Sequence, residues 1–539
     1  MKELIKTLLS DIIRNMAPDF KGGILVENPE NKSHGDYTSN IAYSLAKHLR
    51  KSPQIVAEEL AKKLNNQKIN DFSRVEAVGG FVNFFLSSDC LHHQLEEILK
   101  KKNKYGNSDL GKNYKIQVEF ISANPTGPLT IGNGRGGFYG DVLSNILEKC
   151  GFNITREYYI NDRGVQILNL GRSIKLAQKG NPTSGDLEVG LSNHENLYKG
   201  DYINELAKEI DKDLNIEEAG KKAVELILKT YIKPVIKRLG ITFDNWFSEK
   251  SLYASGSYEK VMGNLMKGNF IYEKDGATFM KTSELGDSED RVLIKSDGSE
   301  TYFLSDILYH HDKFLTRKFN KAVDIWGADH HGYAPRLKAA LTALHIPSQN
   351  LDIVITQLIR LVSDGKEAKV SKRAGTFITL EELVKEVGLD AARFFFLMYS
   401  LDTHMDFDLS LAKERSQKNP VYYAQYAHAR LSSMLRKAKH SSLKTVELAM
   451  LKEFAELNLI RKLIEFPEIL SEISKHYAVH RLPRYTLELA REFHNFYEKE
   501  RVITEDATLT SARLALVRAT KIVLENSLGL MGIDAPKKM

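Results

Sequence analysis

A glycine-rich stretch near residue 130, PLTIGNGRGG, has the composition of a loop that holds a nucleotide phosphate. Gly132, Gly134 and Gly137 match the G-x-G-x-x-G spacing of a dinucleotide-binding turn. In that turn the glycines follow the first strand directly, whereas here the segment from Asn124 to Thr130 lies between the predicted strand and the helix. A glycine-rich loop that opens a helix still offers backbone N–H groups and a positive helix end to a phosphate.

Two other interpretations of this stretch remain open on the local sequence. A structural turn without a ligand would also be rich in glycine. A dinucleotide site would need an acid for the ribose, and Glu157 lies 20 residues after Gly137, at the expected distance. The sequence favours a different nucleotide loop, because Pro125 and Pro128 make this connection too stiff for the dinucleotide turn.

A second stretch, SDGKEAKVSKRAGTF, is rich in cations and small residues. It contains Lys366, Lys369, Lys372 and Arg373 and follows the predicted strand LDIVITQLIRLV. Alone, such a stretch is more often a solvated surface loop than a site. On the opposite half of the same sheet as a phosphate loop, it would form a clamp on a triphosphate, where electrostatic stabilisation is often the largest catalytic contribution.

The elements around the two stretches alternate in the order strand, helix, strand. KIQVEFISA, FYGDVLSNILEKC and FNITREYYI form one such unit, and KAVDIWGA, YAPRLKAALTALH and LDIVITQLIRLV form a second. Units of this kind predict a Rossmann-like α/β domain with a parallel, doubly wound sheet, which we assign to residues 111–400. Between the two units, residues 165–235 are mostly helical in pattern, and the stretch from ATFMKTSELG to TYFLS alternates like a hairpin insertion.

Two further domains are predicted on either side. Residues 1–110 combine amphipathic helices with two strands that meet at Gly79 and Gly80, which predicts an N-terminal α+β domain. Residues 401–539 are helix-periodic from Pro420 to the end, which predicts a C-terminal all-α helical-bundle domain.

The charge distribution indicates a polyanionic partner. Residues 418–539 hold 20 Lys and Arg against 14 Asp and Glu, a balance that equals the +6 of the whole chain. A basic region on a neutral body is typical of nucleic-acid binding, although a helical surface with a chance excess would give the same count.

The remaining composition excludes several classes of protein. Cys90 and Cys150 are far apart, which excludes a disulfide scaffold and a cysteine zinc finger and fits a reducing cytoplasm. No stretch approaches the roughly 20 apolar residues that span a bilayer, so no membrane partner is expected. Asp329, His330 and His331 lack a further ligand cluster at suitable spacing, so no metal site is expected.

Motifs along almost the whole chain resemble those of one known family. VEFISANPTGPLTIGNGRGG and KVSKRAG are similar to the two signature sequences of class I aminoacyl-tRNA synthetases, and ANPTGP resembles the arginyl-tRNA synthetases in particular. GDYTSNIAYSLAK and VEAVGGFVNFFL resemble the N-terminal domain with which that family grips the tRNA elbow. YYINDRGVQI, TYFLSDILYHHDKF and WGADHHGY resemble its catalytic motifs, and NPVYYAQYAHARLSSML and LGLMGIDAPKKM resemble its anticodon-binding domain.

The resemblance implies an arginine–tRNA ligase. The arginine carboxylate would attack the α-phosphate of Mg-ATP, and the acyl group would then pass to the 3′-terminal adenosine of arginine tRNA. Since this carboxylate is already ionised at pH 7, positioning and charge stabilisation would carry the catalysis. The resemblance also implies a cytoplasmic monomer that needs bound tRNA before it activates arginine.

The same resemblance implies roles for individual residues. The catalytic residues would be Thr130, Asn133, Lys369 and Lys372, and the ATP-binding residues Pro128, Gly132, Gly134, Val370 and Ser371. Arginine would be bound by Asn124, Glu249, Tyr302, Asp306 and His330, with Asp162 and His331 as further candidates, and tRNA by Tyr422, Tyr426 and Arg430. A guanidinium requires carboxylates in a pocket, and Glu249 and Asp306 would supply them. The alternative for either acid considered alone is a charged residue at the protein surface.

The first signature departs from the family pattern at two positions. Thr130 and Asn133 stand where the family usually has histidines that donate hydrogen bonds to the phosphates. Both side chains can still donate, but neither can become cationic, and loss of one transition-state donor can cost about 3 kcal/mol. The same arrangement resembles that of the tryptophanyl branch of class I. A relative that keeps the fold and the tRNA grip without catalysis is therefore the alternative.

Overall fold

The computed structural model describes residues 1–179, 197–254, 256–367, 379–438 and 446–539, without the side chains of residues 329–331 and 367. The predicted site residues Lys369, Val370, Ser371 and Lys372 lie outside the described residues. The side chains of His330 and His331 lie outside the described part as well.

The N-terminal region is an α+β unit, as predicted. Its three strands form an antiparallel sheet in the order β1-β3-β2, and β2 and β3 meet at Gly79 and Gly80, which both have positive φ. Ser52 caps the helix that starts at Pro53, because its side chain accepts a bond from the Ile55 N–H at 3.3 Å. The elements are α1 (Lys2–Met16), β1 (Tyr37–Ser39), α2 (Ile41–Leu49), α3 (Pro53–Asn66), β2 (Phe72–Val78), β3 (Phe81–Leu86) and α4 (Ser88–Lys101).

The central sheet has five strands in the order β11-β10-β4-β5-β6, and every neighbouring pair is parallel. The first strand of this sheet in the sequence, β4, lies in its middle. The chain then adds β5 and β6 on one side and β10 and β11 on the other, which is the predicted doubly wound topology. Ligands of such sheets bind at the carboxyl edge where the winding reverses, here between β4 and β10. The first elements are β4 (Lys115–Glu119), α5 (Ile131–Lys149), β5 (Asn153–Ile160), α6 (Val165–Lys179), α7 (Asp201–Glu209), α8 (Ile216–Ile227), α9 (Lys233–Arg238) and β6 (Asn245–Ser248).

The predicted hairpin insertion has a third strand. β8 and β9 pair antiparallel as expected, and β7 joins the other side of β8. Since an isolated two-stranded hairpin is only marginally stable in water, the third strand gives these short strands a larger packed sheet. This part comprises α10 (Lys250–Ala254), α11 (Ser257–Lys267), β7 (Ile271–Lys274), β8 (Ala277–Met280), β9 (Arg291–Ile294) and α12 (Tyr302–His311).

The prediction of one strand for LDIVITQLIRLV is wrong. The segment divides into β11, in the central sheet, and β12, which pairs with β13 and β14 in a separate three-stranded sheet. The break falls at Gln357 and Leu358, where the Gln357 N–H donates to Leu401 O at 2.8 Å and the Leu358 side chain is 70% exposed. The elements are β10 (Lys321–Gly327), α13 (Ala334–Ala343), β11 (Leu351–Thr356), β12 (Ile359–Ser363), β13 (Lys366–Glu367), α14 (Leu380–Val387), α15 (Leu389–Leu397), β14 (Met405–Asp408) and α16 (Leu409–Lys413).

The C-terminal part is an all-α bundle, as predicted. Its helices are α17 (Pro420–Lys437), α18 (Phe454–Ile464), α19 (Phe466–His476), α20 (Arg481–Lys499) and α21 (Ala507–Leu530). Helix α20 buries Tyr485, Leu489, Phe493 and Phe496 at the three- to four-residue spacing of one helix face. Among the described helices, none is both apolar enough and long enough for a membrane crossing.

Candidate active site

The loop after β4 leaves the sheet through a strained backbone. Ile121 and Ser122 both have positive φ, at 65° and 38°, and a β-branched residue in this region is a clear outlier. The loop is held against β5, because the Tyr159 N–H donates to Ser122 Oγ at 3.1 Å and the Tyr158 hydroxyl donates to Ala123 O at 2.9 Å. The exposed Asn124 follows directly, at the carboxyl edge of the sheet. Strain of this kind is concentrated at functional sites.

Thr130 and Asn133 together cap helix α5. The Asn133 side-chain oxygen accepts from the Thr130 N–H at 2.9 Å and from the Thr130 hydroxyl at 3.0 Å. This arrangement uses the acceptor of the Asn133 amide for the cap and leaves its NH₂ group as the donor for a ligand. The departure from the family signature is therefore a compact helix cap at the predicted phosphate site.

The glycines of the stretch differ in their surroundings. Gly132 is exposed, and a Cβ there would meet only Thr130 Oγ1, at 3.6 Å. Gly134 is buried, and a Cβ there would lie 2.6 Å from Leu380 Cδ1, so its small size lets α5 approach α14. Pro128 is half-buried in the preceding loop. Gly132 is thus the more accessible of the two glycines to a ligand.

The described residues that follow the basic stretch are paired with this loop. Thr379, the first residue after the undescribed segment, forms an antiparallel bridge with Thr130, and the Leu380 N–H donates to Leu129 O at 2.9 Å. Thr379 also caps α14, since its hydroxyl accepts from the Glu382 N–H at 3.2 Å. The chain that follows the second signature therefore lies next to the cap of α5 from Thr379 onward.

Glu249 and Asp306, together called the acidic pocket, are two acids that interact electrostatically at the same edge of the sheet. Glu249 follows β6 and is only 3% exposed; Asp306 lies in α12 and accepts from the Tyr333 hydroxyl at 2.5 Å. Burial raises the pKa of the Glu249 carboxyl, and the negative charge of Asp306 raises this pKa further. Burial also raises the pKa of Asp306. Two close carboxylates with disfavoured charge make a site for a cation.

Tyr302 lies beside the acidic pocket, in the first turn of α12. Its side chain is 59% exposed, and burial together with the charge of Glu249 raises the pKa of its phenol. The backbone of His330 lies in the turn Ala328–Tyr333, after β10. The structure thus brings Asn124, Glu249, Tyr302 and Asp306 to one edge of the sheet.

Asp162 holds Glu249 in place from both sides along the chain. It accepts from the Ser248 hydroxyl at 2.6 Å and from the Lys250 N–H at 3.3 Å, and these are the two neighbours of Glu249. The sequence predicted Asp162 as a lining residue of the pocket. Its contacts make it a residue that orients the acid.

Sequence reasoning missed a buried charge cluster under the edge. Lys313 is fully buried, and its Nζ lies 2.8 Å from Glu119 Oε2 and 2.8 Å from Asp324 Oδ1. His310 Nε2 lies 2.8 Å from Asp324 Oδ2. Because Glu119 is on β4 and Asp324 on β10, the cluster joins the two strands between which the winding reverses. The sequence offered one signal of this cluster: Glu119 and Asp324 are acidic residues inside two strands predicted to be apolar.

Glu157 is unavailable to a dinucleotide ribose. It is fully buried on β5, where Gln117 Nε2 donates to it at 2.6 Å, the Tyr309 hydroxyl donates at 2.5 Å, and Arg317 forms a salt bridge with it. The dinucleotide interpretation therefore lacks the acidic residue that would bind the ribose.

The predicted tRNA-binding residues lie together on α17. The rings of Tyr422 and Tyr426 stack with centroids 6.5 Å apart, and the Arg430 guanidinium lies 3.9 Å from the ring centroid of Tyr497. Tyr422, Tyr426 and Arg430 are all half-buried. Within the described ranges, no three His, Cys, Asp or Glu side chains gather in a way that could hold a metal ion.

Three family models match the chain in sequence. They are described as the arginyl tRNA synthetase N terminal domain (residues 3–86), the tRNA synthetases class I (R) catalytic domain (residues 94–397) and the DALR anticodon binding domain (residues 424–539).

Individual proteins that are similar to this chain bear the name of the same family. The chain is 42% identical to the arginine–tRNA ligase 1 of Halalkalibacterium halodurans, over 96% of this chain and 94% of that one. It is 41% identical to the arginine–tRNA ligase of Aquifex aeolicus over the full length of both. Its fold matches the arginyl-tRNA synthetase of Thermus thermophilus with a TM-score of 0.79 at 21% identity, covering 100% of both chains. The chain belongs to the arginyl-tRNA synthetase family of class I aminoacyl-tRNA synthetases, and its activity is that of an arginine–tRNA ligase.

Proposed function

We propose that this chain activates arginine at the carboxyl edge of the central sheet, between the acidic pocket and the first turn of α5. One observation carries the proposal: two close carboxyls with raised pKa values occupy the same edge as a capped, glycine-rich helix N-terminus. A planar guanidinium matches a pair of carboxylates, and a phosphate chain matches the helix N-terminus. A substrate that carries both groups in the transition state is arginine joined to ATP.

The arginine side of the site follows from this placement. Glu249 and Asp306 bind the guanidinium, Tyr302 and His330 line the same pocket, and Asn124 holds the amino-acid end. The ionised carboxylate of arginine then attacks the α-phosphorus of ATP, the bond to the β-phosphate oxygen breaks, and pyrophosphate leaves. In the second step the hydroxyl of the terminal adenosine of arginine tRNA attacks the acyl carbon, and AMP leaves.

The ATP side combines the helix end with the basic stretch. Asn133 donates to the phosphates through its free NH₂ group, and the Thr130 hydroxyl donates to them once a bound phosphate replaces Asn133 as its acceptor. Pro128, Gly132 and Gly134 shape the loop that approaches the nucleotide. Lys369, Val370, Ser371 and Lys372 belong to the opposing stretch, and ATP enters as its Mg²⁺ complex. Lys372 is seven residues from Thr379, so chain length limits it to about 25 Å from that anchor. Thr379 pairs with Thr130, so the length of the chain allows the lysine to reach a nucleotide bound at α5.

The experiment that tests this function is arginine-dependent exchange of pyrophosphate into ATP, measured with arginine tRNA present. We expect exchange well above background, followed by charging of arginine tRNA but not of lysine or tryptophan tRNA. A chain that binds arginine tRNA without any exchange would be the non-catalytic relative instead.

Lys372→Ala is expected to lower the exchange kcat roughly 10²-fold, because a cation that stabilises charge on the transferring phosphates is lost. The arginine KM is expected to stay within about twofold, since the acidic pocket is untouched. Steady-state exchange kinetics give both values. Lys385→Ala, which removes an exposed lysine of α14 that pairs with Glu381, is the matched control, and an undiminished kcat for Lys372→Ala would contradict the assigned role.

Domain roles are part of the proposal: residues 1–110 bind the tRNA elbow, residues 111–400 catalyse, and residues 401–539 bind the anticodon. An exposed apolar patch supports the first role. It surrounds the β2–β3 turn and consists of Tyr43, Ile55, Val78 and Phe81. The rings of Tyr43 and Phe81 meet edge to face, with centroids 5.5 Å apart. An exposed aromatic pair of this kind suits an unstacked base. On α17, Tyr422, Tyr426 and Arg430 offer the aromatic and cationic groups that anticodon bases require.

Phe81→Ala is expected to weaken binding of arginine tRNA about tenfold, the lower range for loss of one base-stacking ring. The arginine KM is expected to remain unchanged at saturating tRNA. A filter-binding titration measures the affinity, and Leu4→Ala, an exposed apolar residue outside the patch, is the control. Unchanged tRNA affinity would remove the patch from the interface.

We also propose a monomer that works in the cytoplasm. The two cysteines, Cys90 and Cys150, are buried free thiols, a state that fits a reducing compartment. Sedimentation equilibrium at micromolar concentration tests the state of assembly, with a mass of 61.1 kDa expected.

A further inference from the structure

His310, near the end of α12, is a buried histidine that is bonded through both of its ring nitrogens. The residue is 1% exposed. Its Nδ1 lies 2.8 Å from the backbone oxygen of Asp306, one helical turn earlier, and its Nε2 lies 2.8 Å from Asp324 Oδ2 on β10. The imidazole therefore connects the turn of α12 that carries Asp306 to the central sheet.

Both partners of this ring are hydrogen-bond acceptors. The backbone carbonyl of Asp306 can only accept. Burial alone would raise the pKa of the Asp324 carboxyl, but the adjacent Lys313 ammonium, 2.8 Å away, lowers this pKa below its usual range, so Asp324 is ionised and can only accept as well. A neutral imidazole has a single N–H and cannot donate to both oxygens. The two bonds therefore require His310 to be an imidazolium, a second buried cation next to Lys313.

The charge of this imidazolium acts on the side chain of Asp306. Burial is the largest influence on the Asp306 carboxyl and raises its pKa, whereas the Tyr333 hydroxyl and the positive charges of His310 and Lys313 lower it. Lys313 is already paired with Glu119 and Asp324. Without the imidazolium, a larger fraction of Asp306 would be protonated near neutral pH, and a protonated acid offers no charge to a guanidinium.

We propose that His310 is a positioning residue for arginine recognition: it aligns the turn of α12 that carries Asp306 and places a positive charge behind the carboxylate that receives the guanidinium of the substrate. This inference rests on the proposed arginine site. His310 is buried behind Asp306 and touches no substrate, so its effect on arginine passes through that side chain.

Several other groups around Asp306 and His310 can carry charge. The described titratable and charged groups that face Asp306 are Glu249 after β6, Tyr159 on β5, Tyr333 after β10, Lys313 after α12 and Asp324 on β10. His310 itself faces Asp324, Glu119 on β4 and the ring of Tyr309. Burial raises the pKa of all three phenols, so they stay neutral. Because all these groups are kept in a His310 variant, the ratio of its arginine KM to that of wild type isolates the imidazolium.

His310→Gln and His310→Asn test the proposal. Both remove the charge, while the glutamine amide can still donate to Asp324, the asparagine amide can still donate to the carbonyl of Asp306, and Asp324 keeps Lys313. Loss of the cation raises the pKa of Asp306, so acid protonates this carboxyl earlier in the variants. We expect an arginine KM roughly tenfold above wild type at about pH 6, the effect of one neighbouring charge on a carboxyl, and only about twofold above it at about pH 8.5. The ATP KM and the kcat at saturating arginine are expected to stay within about twofold, since the ATP side is untouched. Exchange kinetics at saturating arginine tRNA give these values.

His428→Gln is the matched control. His428 is also buried in a helix and bonded to a backbone carbonyl, since its Nδ1 lies 2.8 Å from Pro536 O, but it belongs to α17 in the bundle. Its arginine KM is expected to equal that of wild type at both pH values. His310 variants with a wild-type KM, with a KM ratio that is the same at both pH values, or without a folded state at the assay temperature in melting curves would overturn the inference. A wild-type chain without arginine-dependent exchange would refute the proposed function instead.

Discussion

Asp306→Asn is expected to raise the arginine KM roughly 10³-fold while the ATP KM stays within about twofold. The variant keeps the size and the hydrogen-bonding oxygen of the side chain, so the Tyr333 hydroxyl can still donate to position 306. It removes one of the two carboxylates of the acidic pocket. Removal of one partner of a buried ion pair costs about 4 kcal/mol, which corresponds to that change in KM. Exchange kinetics with arginine and ATP varied in turn provide the measurement.

Tyr333→Phe is the graded control for this prediction. It removes the hydroxyl that bonds to Asp306 and leaves the charge, so the arginine KM is expected to rise only about tenfold. Equal effects of the two variants would mean that the hydrogen bond, and not the charge, holds arginine. An unchanged arginine KM in Asp306→Asn would remove Asp306 from the pocket.

Melting curves of the unliganded protein show whether Asp306→Asn still folds. The folded-state pKa of Asp306 is raised by burial, so its ionisation at pH 7 opposes folding. The stability that Asp306 contributes is fully present below the unfolded pKa of about 3.9 and is lost as the pH rises through the folded pKa. Asp306→Asn is therefore expected to melt at a higher temperature than wild type at pH 7, and the difference should close as the pH approaches 4.

Features with a local cause could be read from the sequence. The parallel order of strands follows from alternating strand and helix patterns, and Pro125, Pro128 and the glycines marked the loop after β4. The assignment of Glu249 and Asp306 came from their setting in family motifs, and the structure places both at the sheet edge. Local patterns and motifs were sufficient to predict these features because both depend on residues that are neighbours in the sequence.

Features with a distant cause could not be read in this way. The break between β11 and β12 depends on a bond from Gln357 to Leu401, which no periodicity reveals. Arg135 resembles any surface arginine in a glycine-rich loop until its four carbonyl acceptors are known. Likewise, Lys313 in HHDKF has no local sign that Glu119 and Asp324 enclose it. Buried charges are fixed by partners far along the chain, and one sequence contains no record of such contacts.

Asn133→Asp is expected to lower kcat/KM for ATP roughly 10³-fold without loss of stability. In the wild-type chain the Asn133 oxygen accepts both bonds from Thr130, and a carboxylate can accept the same two bonds. A negative charge in the first helical turn is also stabilised by the positive N-terminal end of the helix dipole. The substitution removes the NH₂ donor, a loss that typically reduces rates 10²- to 10³-fold, and places a negative charge against the phosphates. Exchange kinetics at varied ATP measure the effect.

Asn133→Ala separates the two functions of this side chain. It removes the donor together with the cap, so we expect a comparable loss of activity but a melting temperature below wild type, since loss of a cap costs about 1 kcal/mol. Asn133→Asp is expected to melt at or above the wild-type temperature. The pair of variants thus shares its kinetic effect and differs in the sign of its stability effect. Wild-type kcat/KM in Asn133→Asp would reduce Asn133 to a helix cap, and another donor would then have to stabilise the charge that develops on the phosphates.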